Sequence, residues 1–290
     1  MRAGSARHLE TLDAATTNEI ISRALSVIDP EGANAERQPR NESGSIDMAP
    51  VRVGVAGWSV PAALGERFRP DGSHLERYAS RFDVVEVNSS FHRPHRRTTY
   101  ARWAASVPAN FRFSVKLPRA ITHGRRLVDC TDLLMRFAEE VSGLDEKRGP
   151  VLVQLPPSFA WSGTLAAEFF EQLEAIVAGD IVCEPRHASW FTAEAGAMLR
   201  RHRVARVAAD PAPVPEAARP GGWDGMAYLR LHGSPRVYRS AYPPSVIADH
   251  AGAVAALAVG GAQVWAIYDN TAADAAPADA LALLDRLAHP

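Results

Sequence analysis

From Val51 onward, short β-branched or apolar runs alternate with longer stretches whose apolar positions recur at helical spacing. The strand-like runs are VRVGVAG (51–57), DVVEVN (83–88), FRFSVK (111–116), PVLVQL (150–155), DIVCE (180–184), VARVAAD (204–210), MAYLRLH (226–232) and QVWAIYD (263–269). Several are nearly unbroken apolar stretches, the signature of parallel strands covered on both faces. Between them, HLERYASR, TTYARWAAS, DLLMRFAEEVSGL, TLAAEFFEQLEAIVA, AEAGAMLRRH and ADHAGAVAALAV predict helices, and PADALALLDRLAH predicts a closing one with proline near its start. One interval breaks the alternation: residues 210–225, DPAPVPEAARPGGWDG, are too rich in proline for a helix and predict an extended crossover loop. Eight strands separated by helices match a (β/α)₈ TIM barrel in count and size. An open doubly wound sheet is the competing arrangement.

Residues 1–49 do not share this pattern. Ile20, Ile21, Ala24, Leu25, Val27 and Ile28 predict one short amphipathic helix, and the polar, breaker-rich run that follows predicts a disordered, flexible N-terminal extension ahead of a barrel domain at 50–290. With 32 Lys+Arg against 33 Asp+Glu, the formal charge of −1 supplies no global field that would favour nucleic acid or an anionic membrane. The first twenty residues lack an apolar signal-peptide core, and no apolar run approaches the ~20 residues needed to span a bilayer. The two cysteines, Cys130 and Cys183, have neither metal-site nor disulfide spacing, which suits a reducing compartment, so the expected location is cytoplasmic.

In a barrel, the chemistry collects where the strands' C-terminal ends converge. Those ends are polar in almost every case. They carry Trp58 and Ser59, Glu86 and Asn88, Lys116 with His123 after it, and Gln154. Further along come Glu184, Arg186 and His187, Asp210, Arg230 and His232, and Asp269 and Asn270. Burying so many polar groups beside apolar strands is unfavourable unless they pair with one another or with a ligand.

The motifs GVAGWS, VEVNSSF, F-S-VKLPRAITH, VQLPPSF, EPRHASW, LRLHG and YDNT occur in order from Val51 to the C-terminus. Together they resemble the DUF72 (YecE-like, UPF0759) family of TIM-barrel proteins. The resemblance implies the barrel but no established reaction. His92 and Val60 depart from the family pattern, which often has Tyr and an aromatic residue there.

Arg186, Arg230 and Lys116 lie on odd-numbered strands, which share layers inside a barrel, so they are candidates to hold a substrate anion. The alternative role for each is neutralising Glu86, Glu184 or Asp210. Glu184 and Glu86 are the acid/base candidates, with Lys116 and His232 beside them as catalytic candidates. Asn88, Gln154, Asn270, Trp58 and His123 are candidates to contact substrate. The leading reading is an enzyme using acid/base chemistry on a small phosphorylated or carboxylated ligand. A divalent-metal isomerase or phosphodiesterase is the second, with Glu86, Glu184, Asp210, His232 and Asp269 as its oxygen-rich candidate set, although no tight ligand pair supports it and no cofactor is strongly implied. A non-enzymatic nucleic-acid or protein-binding module using HRPHRR (92–97) is the third and is not favoured.

Overall fold

The computed structural model describes residues 48–289. The short helix expected at residues 20–28 and all but the last two residues of the expected extension lie outside this range. The strands are β1 Val51–Val55, β2 Val84–Val87, β3 Arg112–Lys116, β4 Arg148–Gln154, β5 Ile181–Glu184, β6 Val204–Arg206, β7 Ala208–Asp210, β8 Gly221–Gly222, β9 Met226–Leu231 and β10 Gln263–Tyr268. The α-helices are α1 His74–Tyr78, α2 Arg97–Ala105, α3 Thr131–Val141, α4 Gly163–Val177, α5 Ala193–Arg201, α6 Pro244–Val259 and α7 Ala276–Ala288. Within the described residues each predicted helix is present and each predicted strand is found, shortened or extended at its ends or, for the sixth, divided in two. Among the described residues, no helix is long and apolar enough to cross a membrane.

The sheet runs β7-β9-β10-β1-β2-β3-β4-β5-β6-β8, with every pairing parallel except β6 with β8. The predicted sixth strand, 204–210, is divided at Val207. Its first half pairs with β5 and its second with β9, while the Val207 amide still donates to the Cys183 carbonyl at 2.8 Å. One stretch of chain therefore changes partners midway and brings the two ends of the sheet together in a nearly closed barrel. The proline-rich interval after it is not wholly extended: it holds a 3₁₀ turn at Pro215–Ala218 and the two-residue β8.

The helices form for local reasons. Ser73 and Glu76 make a reciprocal capping box at the start of α1. In α4, Ala166, Phe169, Phe170, Leu173 and Val177 recur at helical spacing and bury one face. These side chains join an outer core between helices and sheet that also holds Val53, Val85, Val115, Val153 and Tyr268.

Inside the barrel, period-two alternation stacks the inward residues in layers. Val84, Leu152, Val182, Tyr228 and Ile267 belong to an apolar inner cluster. Two residues further along the same strands stand Glu86, Gln154, Glu184, Arg230 and Asp269, all buried. An apolar plug thus lies beneath a polar layer at the C-terminal ends.

The β1–β2 ladder is the thinnest parallel contact, with only Val55 paired to Val85. Tyr78 reinforces it from α1. Its hydroxyl accepts from the Val55 amide at 2.9 Å and donates to the Val84 carbonyl at 2.8 Å. Gly54 makes room, because a Cβ there would run into the Val84 carbonyl and approach the Tyr78 hydroxyl to 3.0 Å. Tyr78→Phe should leave both backbone groups buried without partners and lower stability by about 1–3 kcal/mol. Chemical denaturation measures the loss, and hydrogen exchange should show the Val55 amide among the most strongly deprotected.

Candidate functional site

Arg230 is the centre of the polar layer. It lies on β9 between Tyr228 and His232, three inward positions in a row, and is fully buried. Its Nε and Nη2 donate to Glu86 Oε2 and Oε1 at 3.0 and 2.7 Å, a bidentate pair. Its Nη1 donates to Glu184 Oε2 at 2.6 Å, and Nη2 also reaches Asp269 Oδ2 at 2.8 Å. One guanidinium thereby gathers carboxylates from β2, from β5 and from the end of β10. The planar fork of arginine suits this task, whereas a lysine would offer only a point charge.

The carboxylates are held from other sides as well. Tyr228 Oη lies 2.9 Å from both Glu86 Oε2 and Ser114 Oγ. Gln154 Nε2 donates to Glu184 Oε2 at 3.0 Å, and Arg186 Nε donates to Glu184 Oε1 at 3.1 Å. Burial works to raise the Glu184 pKa, but Arg230, His232 and Arg186 together hold it well below the usual carboxylate range. Asp269 is lowered as well, because Arg230 and His232 outweigh its burial.

His232 spans two of these acids. Its Nδ1 lies 3.1 Å from Asp269 Oδ2 and its Nε2 lies 3.2 Å from Glu184 Oε1. Only the doubly protonated ring donates to both. Burial alone would lower its pKa, yet the hydrogen bonds to Asp269 and Glu184 raise it above the ordinary imidazole value.

Lys116 and Arg186 stand apart. Lys116, at the end of β3, is 6% exposed and lies with Nζ 4.2 Å from the centre of the Phe91 ring. Among the described residues it has no carboxylate within ion-pairing distance. Burial, and then the Arg230 guanidinium, pull its pKa down to about 8 against the upward pull of Glu86, Glu184 and Asp269. Arg186 keeps 27% of its side chain exposed while bonding Glu184 and, through Nη2, the Tyr238 hydroxyl at 3.0 Å. His123, after β3, bonds Thr122 Oγ1 at 2.9 Å and packs against the Phe91 ring. Its pKa is lowered by burial and by the combined field of Arg119, Lys116, Arg186 and Arg126.

Other expected contact residues are placed elsewhere. Trp58 and Asn88 line a separate cavity of about 420 Å³ with Gly57, Ser59, His74 and Ser89. Asn88 Oδ1 is buried there without a hydrogen-bond partner among the described residues. Asn270 Nδ2 donates to the Ser240 carbonyl and to Asp279 Oδ2, tying the loop after β9 to α7. From the basic run, His92 and Arg93 border a second cavity of about 350 Å³, and His95 Nε2 lies 2.8 Å from Ser89 Oγ. Cys130 caps α3, its thiol pushed up to about 11 by burial, and Cys183 lies in the outer core.

Sequence reasoning missed Tyr228 and Tyr238 as members of this constellation, and placed Asp269 at a strand end without giving it an acid/base or substrate-binding role. Tyr228 was detectable, since it shares the inward register of Arg230, as Asp269 shares that of Ile267. Tyr238 sits in an irregular loop with positive φ and carried no periodic signal.

The shifts set the pH dependence of stability. Glu184 and Asp269 are lowered in the fold, so their contribution is present above the ordinary carboxylate range and is lost as pH falls through their depressed values. His232 is raised, so its contribution is complete below about 6.5 and is lost as pH rises through its folded value. Lys116 acts oppositely, since its unfavourable protonation in the fold is relieved between about 8 and 10.5. The lowered imidazoles of His95, His123 and His250 push the other way up to about pH 6.5, so the His232 contribution is read as a difference. From pH 7 to 8 urea midpoints should fall more in the parent chain than in His232→Gln, which should keep the acid-side loss below about pH 4.

The model of the family described as "Protein of unknown function DUF72" matches residues 52–290. The UPF0759 protein YecE of Escherichia coli K12 is 31% identical over 109 residues, a stretch covering 38% of this chain and 39% of YecE. The crystal structure of a DUF72 family protein from Enterococcus faecalis V583 superposes with a TM-score of 0.69 at 20% identity, covering 82% of this chain and 95% of that one. A DUF72 family protein from Thermotoga maritima MSB8 gives a TM-score of 0.67 at 22% identity, covering 82% and 99%. At these identities the structural likenesses speak to the fold alone. The family match spans the whole barrel, and the chain belongs to the DUF72 family.

Proposed function

We propose that the chain is an enzyme that handles a small phosphorylated or carboxylated substrate at the C-terminal mouth of the barrel, with Lys116 as its acid/base residue. The carrying observation is a charge surplus. Glu86, Glu184 and Asp269 are offset by Arg230, Arg186 and a protonated His232, which leaves Lys116 as the extra cation. A site with an uncompensated ammonium attracts an anion and gains by binding one.

The roles follow from which groups remain open. Arg230 serves three carboxylates, so in this reading it organises the site and does not grip substrate. Arg186 uses Nε and Nη2 internally, and its Nη1 makes no hydrogen bond among the described residues. Arg186 is therefore the anion grip, with His123 beside it in the field of the same cations. Glu184 stays ionised and orients Arg186 and His232. Glu86 orients Arg230. Lys116, with a pKa of about 8, exchanges its proton near neutrality, as acid/base catalysis requires.

The divalent-metal reading fares less well on the chemistry of the donor set. Arg230 occupies the position among the carboxylates that a cation would take, and among the described residues no group of three or more His, Cys, Asp or Glu is placed to hold a metal.

Titration with inorganic phosphate and small dicarboxylates, followed by thermal shift and calorimetry, tests the reading. At least one such anion should stabilise the protein, and Arg186→Met should weaken its binding ten-fold or more, about 1.4 kcal/mol. Affinity should also fall as pH rises through about 8, where Lys116 loses its charge. Absence of stabilisation by any of these anions, or equal binding in Arg186→Met, would contradict it.

A further inference from the structure

The lone pair with which Lys116 would accept a proton is also a nucleophile. Only two of the 32 basic Lys and Arg residues are lysines, Lys116 and Lys147. Lys147 is committed to structure, since its Nζ donates to the Ala104 and Val107 carbonyls at 2.7 and 2.6 Å. Lys116 makes no hydrogen bond through Nζ among the described residues and rests against the face of Phe91. Where this chain needs a permanent positive charge it uses arginine almost throughout. At the end of β3 it carries the basic side chain that can lose its proton.

An imine-forming lysine has three physical requirements, and the mouth of this barrel meets each. The amine must be dry enough to be neutral part of the time, and Lys116 is buried beside an aromatic ring. It needs a fixed cation nearby to disfavour its own charge. Arg230 supplies this and cannot itself be neutralised, because its three carboxylates hold it in place. It must also lack a carboxylate partner, which would restore its proton, and the acids of the layer are drawn instead to Arg230, Arg186 and His232.

We propose that Lys116 forms an imine with an aldehyde or ketone that carries a phosphate or carboxylate group. The proposal rests on the anion-site reading above and narrows its substrate class to carbonyl compounds. In the first step the Nζ lone pair attacks the carbonyl carbon, the C–N bond forms, and the carbonyl π pair moves to oxygen. The oxygen takes up a proton and the nitrogen gives one up, leaving a neutral carbinolamine. Departure of the hydroxyl with a proton as water, as the nitrogen lone pair forms the C=N bond and its last hydrogen leaves as a proton, completes the imine. In sum, amine and carbonyl give imine and water with no change of oxidation state. His123, whose lowered pKa keeps it a neutral imidazole, packs against the same Phe91 ring and can carry the protons.

Trapping tests the proposal directly. The full chain is incubated with pyruvate, or with glycolaldehyde phosphate, in the presence of sodium cyanoborohydride, and digested for peptide mass spectrometry. The expected result is a reduced adduct on Lys116 at ten-fold or greater occupancy over Lys147, absent in Lys116→Arg. A cooperative urea transition in that variant reports that it is folded. No adduct with either carbonyl in a parent chain that phosphate does stabilise would overturn the imine and leave the anion site standing. Equal labelling of Lys147 would also overturn it, as non-specific reductive amination. Failure of the adduct together with absence of stabilisation by phosphate and by the small dicarboxylates would remove the two readings together.

Discussion

The polar interior depends on a single buried guanidinium. Arg230 has no exposed surface and holds Glu86, Glu184 and Asp269 at 2.6–2.8 Å, so three strand ends that would repel one another share one cation. Such a network is not the cheapest way to fill a barrel. Replacing a buried ionic cluster by well-packed apolar groups is often neutral or stabilising, whereas removing one member alone exposes the full desolvation penalty of the others. The apolar layer directly beneath, built from Val84, Leu152, Val182, Tyr228 and Ile267, shows that the barrel can be filled with hydrocarbon and one hydroxyl. The charged layer above it is better explained by what it does to its neighbours than by its contribution to stability.

What it does is fix the electrostatics of the mouth. With the acids drawn to Arg230, His232 and Arg186, the acid/base role that sequence assigned first to Glu184 passes, in our reading, to Lys116. Glu184 is still central, but as the ionised acceptor that positions two cations. The shift follows from magnitude: a carboxylate facing two guanidinium groups and an imidazolium keeps its charge despite burial, while an ammonium facing a guanidinium loses its proton more readily.

Much of this arrangement was legible in the sequence. Strand ends could be read as polar because period-two alternation makes Val84–Glu86, Leu152–Gln154 and Val182–Glu184 repeat the same step from apolar to polar on different strands. The pairing could not be read, because contact between Arg230 and Glu86 joins residues 144 positions apart and depends on barrel closure. The division of the sixth strand at Val207 was hidden for a similar reason: VARVAAD is uniformly strand-like, and its change of partner is set by the geometry of closing the sheet. Tyr78 gave only the signal of a buried helix residue, although its hydroxyl completes the ladder between β1 and β2. Asn270 illustrates the opposite case, a strand-end polar group whose amide is taken up by Ser240 and Asp279.

The most direct measurement of the central claim is the pH dependence of stability in Arg230→Met. If one guanidinium compensates three buried carboxylates, its removal should lower stability at pH 7 by about 3–5 kcal/mol. Stability of the variant should then rise on going from pH 7 to pH 5, because uncompensated buried carboxylates take up protons more readily in the fold than in the unfolded chain. A variant with nearly unchanged stability at pH 7 and the parent's pH slope would contradict the account.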